Sequence, residues 1–427
     1  MSRWIVYVAV GVAMSSCSPI SQRALTREFR ETEKLFHDHT GFALYDVSNN
    51  KSVFEYNSDS YFTPASNTKI FTFYSSLKLL GDSIPAFKYL ERNDSLILWG
   101  TGDPSFLNRN VYSPTSAFSF LQSSHSKLFL STSTFQTTAF GSGWAWDDYN
   151  DYYSAERSAF PVYGNTILVQ SNGANVSVSP KYFSQFVSYV DDESQGVVRN
   201  VDSNILTVHR PISQRLKKEI PARVTPDLTA KLLSDTLGLP ASTIAAPPKR
   251  EAKIFYNTPA DSVYKVMMQE SDNFIAEQLL LVCAATLGDT LKPEVTIEHM
   301  KKNYFTDFPD EPAWVDGSGL SRYNLFTPRT IVALWKKIYA EVPRERLFQL
   351  LAIGGKAGTI KNYYKAPQPY IFGKTGSLSN NHCLSGYLVT RSGKTLIFSF
   401  MNSNFTTSTA EVRKNMQRIL NLIYEKY

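Results

Sequence analysis

Pro64-Ala65-Ser66-Asn67-Thr68-Lys69-Ile70-Phe71-Thr72-Phe73-Tyr74 is the stretch that decides how this chain is read. It joins a small-residue turn to a strongly apolar run, Ile70 to Leu80, that stops at Gly81-Asp82 and is expected to be a buried helix. If Ser66 opens that helix, Lys69 lies three residues on and shares its face. A serine hydroxyl is a weak nucleophile until a base sits beside it. A lysine serves as that base when burial and neighbouring cations lower its pKa. The N–H groups at a helix start favour an anionic intermediate. Alone, Ser-x-x-Lys reads equally well as a capping serine followed by a surface lysine.

Two more short motifs follow in order. Ser271-Asp272-Asn273 opens the apolar stretch Phe274 to Val282. A serine there can relay a proton between a lysine and a leaving amine, and the Asn amide can bond a substrate carbonyl. By itself the triplet is an ordinary helix cap. Lys374-Thr375-Gly376-Ser377 precedes a strand expected at Leu384 to Thr390. Glycine on a strand edge lets a substrate backbone approach. Lysine supplies a cation, and Ser377 a hydroxyl and an N–H. Its plain alternative is a surface turn. The combination Ser-x-x-Lys, Ser-x-Asn and Lys-Thr-Gly in this order carries far more weight than any one motif, because it is the set used by serine acyl-transfer enzymes that react with penicillin.

Further out, Gly41 to Val47 and Ser52 to Tyr56 alternate across Ser48-Asn-Asn-Lys51, a hairpin signal. Leu384 to Thr390 and Thr395 to Met401 form a second hairpin across Arg391-Ser-Gly-Lys394. Helices are expected at 25–40, 230–237, 262–287, 293–304, 330–339 and 410–424. Between about 86 and 250 the pattern changes to short β-type runs (96–99, 128–131, 166–170, 176–178 and 205–208). The chain ends thus read as one α/β (α+β) domain with a β-rich insertion between them. With 427 residues and 43% hydrophobic side chains the chain has enough apolar surface for several cores, which excludes disorder as its main state. A net charge of +6 without basic clusters argues against a nucleic-acid partner. The six histidines are scattered except His37 and His39, which read as a solvated helix face, so no metal site is expected.

Trp4 to Met14 is an apolar run of 11 residues after a single basic Arg3. A membrane-spanning helix needs about 20 residues, so the run suits a signal peptide. Met14-Ser15-Ser16-Cys17 resembles a lipoprotein cleavage box with Met14 in the usual leucine place. Residues 1–17 are therefore expected to be a lipoprotein-type signal, with Cys17 lipidated and the protein outside the cytoplasm. An ordinary cleaved signal with an incidental cysteine stays open. Cys283 reads as a buried thiol, and whether it pairs with Cys383 is left open.

The spacing narrows the motif set. From Ser66 to Ser271 is 205 residues, and Lys374 follows 103 later. The first gap is far longer than in β-lactamases and resembles the class C penicillin-binding proteins, D-alanyl-D-alanine carboxypeptidases that are also endopeptidases. Leu98-Trp-Gly-Thr-Gly-Asp-Pro104, Gly143-Trp-Ala-Trp-Asp-Asp148 with Tyr152-Tyr153, Asp316-Gly-Ser-Gly-Leu-Ser-Arg322 and Gly354-Gly-Lys-Ala-Gly-Thr359 look like that family too. The resemblance implies a penicillin-binding transpeptidase-like domain I over 22–85 and 250–427. It implies an inserted domain II over 86–160 and 213–249, with a small domain III nested at 161–212.

It also implies roles. Ser66 is the acylated nucleophile and Lys69 its base; Ser271 and Asn273 complete the catalytic group. Lys374 is the cation near Ser271 and the terminal carboxylate, with Thr375 and Ser377 as polar contacts. The Ser66 and Ser377 N–H groups would form the oxyanion hole. Asp148, Tyr153, Arg322 and Ser379 match a side pocket for the third residue of the stem peptide; each is equally readable as interface or core. The implied partners are peptidoglycan stem peptides, β-lactams as inhibitors, and a membrane through the Cys17 anchor. No cofactor is implied. Two rival readings are a β-lactamase or esterase of the same superfamily, and a cell-wall-binding lipoprotein with little catalysis.

Overall fold

The computed structural model describes residues 21–112, 114–124, 127–172, 175–192, 194, 196–210 and 215–427. The apolar run Trp4 to Met14 and Cys17 lie outside the described residues. Among those described, no helix is long and apolar enough to cross a membrane.

The two hairpins meet in one antiparallel sheet. Its six strands run in the order Ala352–Ile353, Ile371–Leu378, Asn381–Val389, Thr395–Ser403, His39–Asp46, Lys51–Tyr56. His39–Asp46 pairs along its whole length with Thr395–Ser403, so the first strand among the described residues is zipped to the last. Every residue of Thr395–Ser403 is buried. Such a strand does not present one face to water, because both faces of its sheet are covered. On one face lie the helices Gln22–Phe36 and Thr409–Lys426, around Phe29, Phe42 and Phe400. The other face carries Lys69–Leu79, Ala260–Gln269, Asn273–Leu287 and Pro328–Glu341.

The helix Asn273–Leu287 is apolar on nearly every side and passes through the middle of this second core, with Leu279, Leu280, Leu281 and Val282 fully buried. Each such side chain contributes about 1.5–3 kcal/mol by leaving water, which makes the helix a firm mount for whatever stands at its N-terminus.

Two helix expectations change. The single helix expected over 262–287 is two, Ala260–Gln269 and Asn273–Leu287. Ser271 between them is left-handed (φ 64°), and the Asp272 carboxylate caps the second helix by accepting the Ile275 N–H at 2.9 Å. The first helix closes at Phe36, not near residue 40, because His37 turns left-handed at its end and His39 begins a strand. The His37/His39 pair therefore spans a helix–strand junction and not a helix face. Cys283 and Cys383 are both buried free thiols.

The middle of the chain builds three further sheets. One has five strands in the order Ala241–Ile244, Lys127–Ser131, Ser95–Gly100, Ser83–Arg92, Lys253–Pro259. Val187–Asp191, Leu206–Arg210 and Gly196–Arg199 form a second, and Leu216–Pro221, Thr166–Ser171 and Val176–Ser179 a third. Ala155 to Ser158 connect this region to the helix Asn273–Leu287: Gln278 bonds Ser158 N–H, Ser158 C=O and Gly102 C=O. The inserted segment is thereby held against the helix that begins at Asn273.

Candidate active site

Ser66 lies in a 3-10 turn, Ala65–Thr68, that runs directly into the helix Lys69–Leu79. Ala65 is held left-handed (φ 47°). Such a conformation in a non-glycine residue costs on the order of 1–3 kcal/mol and persists only where packing over-determines it. Here the packing is visible. Asn67 is clamped between two strands, its amide donating to the Lys374 carbonyl at 3.1 Å and its carbonyl accepting from Ser385 Oγ. A Cβ on Gly376 would come within 2.5 Å of Pro64 O and 2.9 Å of Ser66 N. Only glycine lets the strand Ile371–Leu378 lie flat against the turn that presents Ser66.

Lys69 Nζ is fully buried and bonds Ser66 Oγ at 2.8 Å, Asn273 Oδ1 at 2.6 Å and the Ser318 carbonyl at 2.7 Å. Burial pushes its pKa from 10.5 down to about 8, against the raising influence of Asp316, Glu277 and Asp272. In the neutral amine, two N–H groups serve Asn273 and Ser318 and the lone pair is left for the Ser66 hydroxyl. On the other side, Lys374 Nζ donates to Ser271 Oγ at 2.7 Å and to the Thr375 carbonyl at 2.8 Å. Burial, and then the nearby Lys69 charge, hold its pKa well below normal. Asn273 also donates to the Tyr153 carbonyl at 3.0 Å, which ties the inserted segment to the centre.

A cleft of about 1050 Å³ opens over this group. Ser66, Ser271, Asn273, Thr375, Ser377, Asp148, Tyr153, Arg322 and Ser379 all line it. Lys69 and Lys374 do not: both are fully buried behind its wall. Lys374 directs N–H groups at Ser271 Oγ and the Thr375 carbonyl. At the side, Tyr153 OH donates to Asp148 Oδ1 at 3.0 Å. Burial, with Asp147 and Asp151 close by, raises the Asp148 pKa, and Tyr153 and Arg322 act in the opposite direction.

Several contributors lie outside the three short motifs. Ser318 holds Lys69 through its carbonyl while its N–H donates to Glu277 Oε1 at 2.7 Å, and Glu277 forms a buried ion pair with Arg157 at 3.1 Å. Asp316 fixes the same loop by accepting from Gly319 N, Ser321 N and Trp144 Nε1. Gly319 is left-handed (φ 81°) and passes so close to Ala65 O that a Cβ would sit 1.8 Å away. Thr359 bonds Thr375 Oγ1 at 2.7 Å, and His382 and Arg413 both reach Ser377 Oγ. The sequence signal for the 316–322 and 354–359 loops is their glycines at close backbone approaches; Arg413, on the last helix, has none.

The chemistry of this arrangement is acyl transfer: a hydroxyl with a buried amine at hydrogen-bond distance, a second hydroxyl beside a second buried lysine, and a wide polar cleft. Among the described residues no cluster of His, Cys, Asp or Glu is suited to a metal ion. The family model for the D-Ala-D-Ala carboxypeptidase 3 (S13) family matches residues 22–426. The D-alanyl-D-alanine carboxypeptidase DacB of Haemophilus influenzae is 22% identical over 457 aligned positions, covering 95% of this chain and 92% of the relative. The crystal structure of penicillin binding protein 4 (dacB) from Haemophilus influenzae superposes with a TM-score of 0.75 at 22% identity, over 96% of this chain and 100% of that one. The complex of that Haemophilus influenzae protein with a novel β-lactam gives 0.70 at 20% identity, over 96% and 100%.

Proposed function

The chain belongs to the D-Ala-D-Ala carboxypeptidase 3 (S13) family and is a serine-type D-Ala-D-Ala carboxypeptidase, and from that premise we propose how its own residues carry the reaction. Ser66 Oγ bonds to the carbonyl carbon of the penultimate D-Ala of a stem peptide and gives its proton to Lys69 Nζ. The developing oxyanion lies between the backbone N–H groups of Ser66 and Ser377. The C–N bond then breaks as the leaving D-Ala nitrogen takes the Ser271 hydroxyl proton, which the Lys374 ammonium 2.7 Å away replaces; Lys374 is reprotonated at the expense of the Lys69 ammonium, which frees Lys69 to act as base again. Water attacks the resulting ester and Ser66 regains its proton. The observation that carries this assignment is the fully buried Lys69 amine 2.8 Å from Ser66 Oγ. A β-lactam acylates the same hydroxyl. The test is the intact mass of the protein after benzylpenicillin, followed by peptide mapping. A stable adduct on the peptide containing Ser66 is expected, whereas rapid release of hydrolysed penicillin would favour a β-lactamase. Cleavage of peptide cross-links is proposed as a second activity of the same cleft.

The side pocket of Asp148, Tyr153, Arg322 and Ser379 is proposed to hold the third residue of the stem peptide. Asp148 meets a free amine, Arg322 a carboxylate, and Tyr153 the alkyl chain between them. Asp148→Asn should lower acylation by peptides with that free amine about tenfold, the loss expected for one charge-assisted hydrogen bond in a part-buried site. Acylation by a simple penicillin should barely change. The measurement is the second-order acylation rate with amine-bearing and N-acetylated peptides. Equal losses on both would assign Asp148 to support of the inserted segment.

The division into a domain I (22–85 and 250–427), a domain II (86–160 and 213–249) and a nested domain III (161–212) is likewise proposed. The separate sheets of the ends and the middle of the chain support it, although Lys253–Pro259 pairs with Ser83–Arg92 in the middle sheet and Leu216–Pro221 pairs with Thr166–Ser171. The enzyme is extracytoplasmic in this reading, anchored by lipidated Cys17 after removal of its signal. Cys17→Ser should then move it from the membrane fraction to the soluble fraction, since several acyl chains hold a protein firmly and none does not. Equal partition of both forms would leave plain secretion.

A further inference from the structure

Lys374 Nζ is fully buried against Ser271 Oγ and the Thr375 carbonyl, and the cations that line the cleft itself are others. The described cleft lining holds two, Arg322 and Arg413. Arg322 stands beside Asp148 in the side pocket. Arg413 rises from the first turns of the helix Thr409–Lys426 beside the strand that carries Thr375 and Ser377.

Three observations mark Arg413 as a cation held for a ligand. Its Nη2 donates to Ser377 Oγ at 3.3 Å, which aims the guanidinium along the Thr375–Ser377 edge. Its Nε is buried with no hydrogen-bond partner, and no carboxylate of the described residues lies within ion-pair distance of it. The acidic residue nearest in its own helix, Glu411, is engaged by Lys414 at 2.8 Å. A guanidinium carries five N–H donors in a planar fork matched to a carboxylate; most of these are unused here. The packing around it is built for a fixed pose: the guanidinium carbon sits 5.8 Å from the Tyr363 ring centre. Thr409, at the start of the same helix, also lines the cleft, so the positive end of the helix faces the same space.

We propose that Arg413, with the Thr375 and Ser377 hydroxyls, is the anchor for the carboxylate on the leaving side of the substrate. This rests on the acyl-enzyme reading above and deepens it, because it names the residue of this chain that distinguishes a leaving group with a free carboxylate from one without. Arg413 is a specificity-determining group; the bond-making steps stay with Ser66, Lys69 and Ser271.

The test uses the whole protein and two probes, an N-acyl-D-alanyl thioglycolate and its methyl ester, which differ only in the leaving-side carboxylate. The readout is the ratio of kcat/KM for acid over ester. Arg413→Ala should lower that ratio by about 10–100-fold, the span expected for losing a bidentate charge-assisted contact. Arg413→Lys, which keeps the charge but not the fork, should give an intermediate ratio and also guards against a folding defect in the alanine variant. An unchanged acid/ester ratio in both variants, whatever happens to the absolute rates, overturns the assignment of Arg413. Failure of the wild-type protein to form an acyl-enzyme with either probe would instead overturn the reading on which it rests.

Discussion

Ser66→Ala should abolish both covalent labelling by benzylpenicillin and release of D-Ala from a pentapeptide. Loss of the nucleophile in serine peptidases costs on the order of 10⁶-fold in turnover, which is beyond detection in either assay. The fold should survive. The Ser66 side chain is only half-buried, and among the described residues its hydroxyl bonds Lys69, which keeps Asn273 Oδ1 and the Ser318 carbonyl as acceptors. The turn itself is pinned by Asn67 and by the close approach of Gly376, neither of which involves the Ser66 hydroxyl. Circular dichroism and thermal melting of the variant should therefore resemble those of the parent. Stoichiometric labelling that persists in Ser66→Ala would remove this residue as the nucleophile.

Lys69→Ala should slow acylation by about 10²–10⁴-fold, the usual contribution of a positioned general base. The pH dependence gives a second and sharper signature. Burial lowers the Lys69 pKa to about 8, so near neutrality most molecules carry the ammonium and only a minority hold the free amine. The acylation rate of the parent should climb as pH rises toward about 8 and level off above it. In Lys69→Ala that climb should vanish, leaving a low, flat profile over the same range. The same shift bears on stability. The unfolded chain holds the Lys69 proton up to its ordinary pKa of 10.5, whereas the folded chain releases it near 8. Between those values the unfolded state binds more protons, so this group's contribution to stability improves as pH rises and declines as pH falls toward 8. A parent rate independent of pH from 6 to 9, or a variant as fast as the parent, would exclude Lys69 as the base.

The sequence by itself determined the local and periodic features of this protein. A three-residue helical step from Ser66 to Lys69, the hairpins of residues 41–56 and 384–401, and the apolar helix behind Asn273 all depend on neighbours within a few positions. Local geometry and hydrophobic period are enough to read them, and the three motifs together also pointed to the family.

What only the tertiary structure decided depends on residues far apart in the chain. The left-handed turn at Ser271, which aims its hydroxyl at Lys374 103 residues further on, is one such feature: the polar run Gln269 to Asn273 signals a cap but not the partner that the capped residue meets. The pairing of His39–Asp46 with Thr395–Ser403, 350 or more residues away, leaves no trace in either strand's own pattern, since a strand's periodicity does not name its partner. Burial of Lys69 and Lys374, the hold of Ser318 and Glu277 on Lys69, and the placement of Arg413 beside Ser377 arise where loops and helix starts from separate segments converge. A charged side chain in a sequence looks solvated by default. Whether it is desolvated, and hence a base or an anchor rather than a surface charge, is fixed by what folds over it.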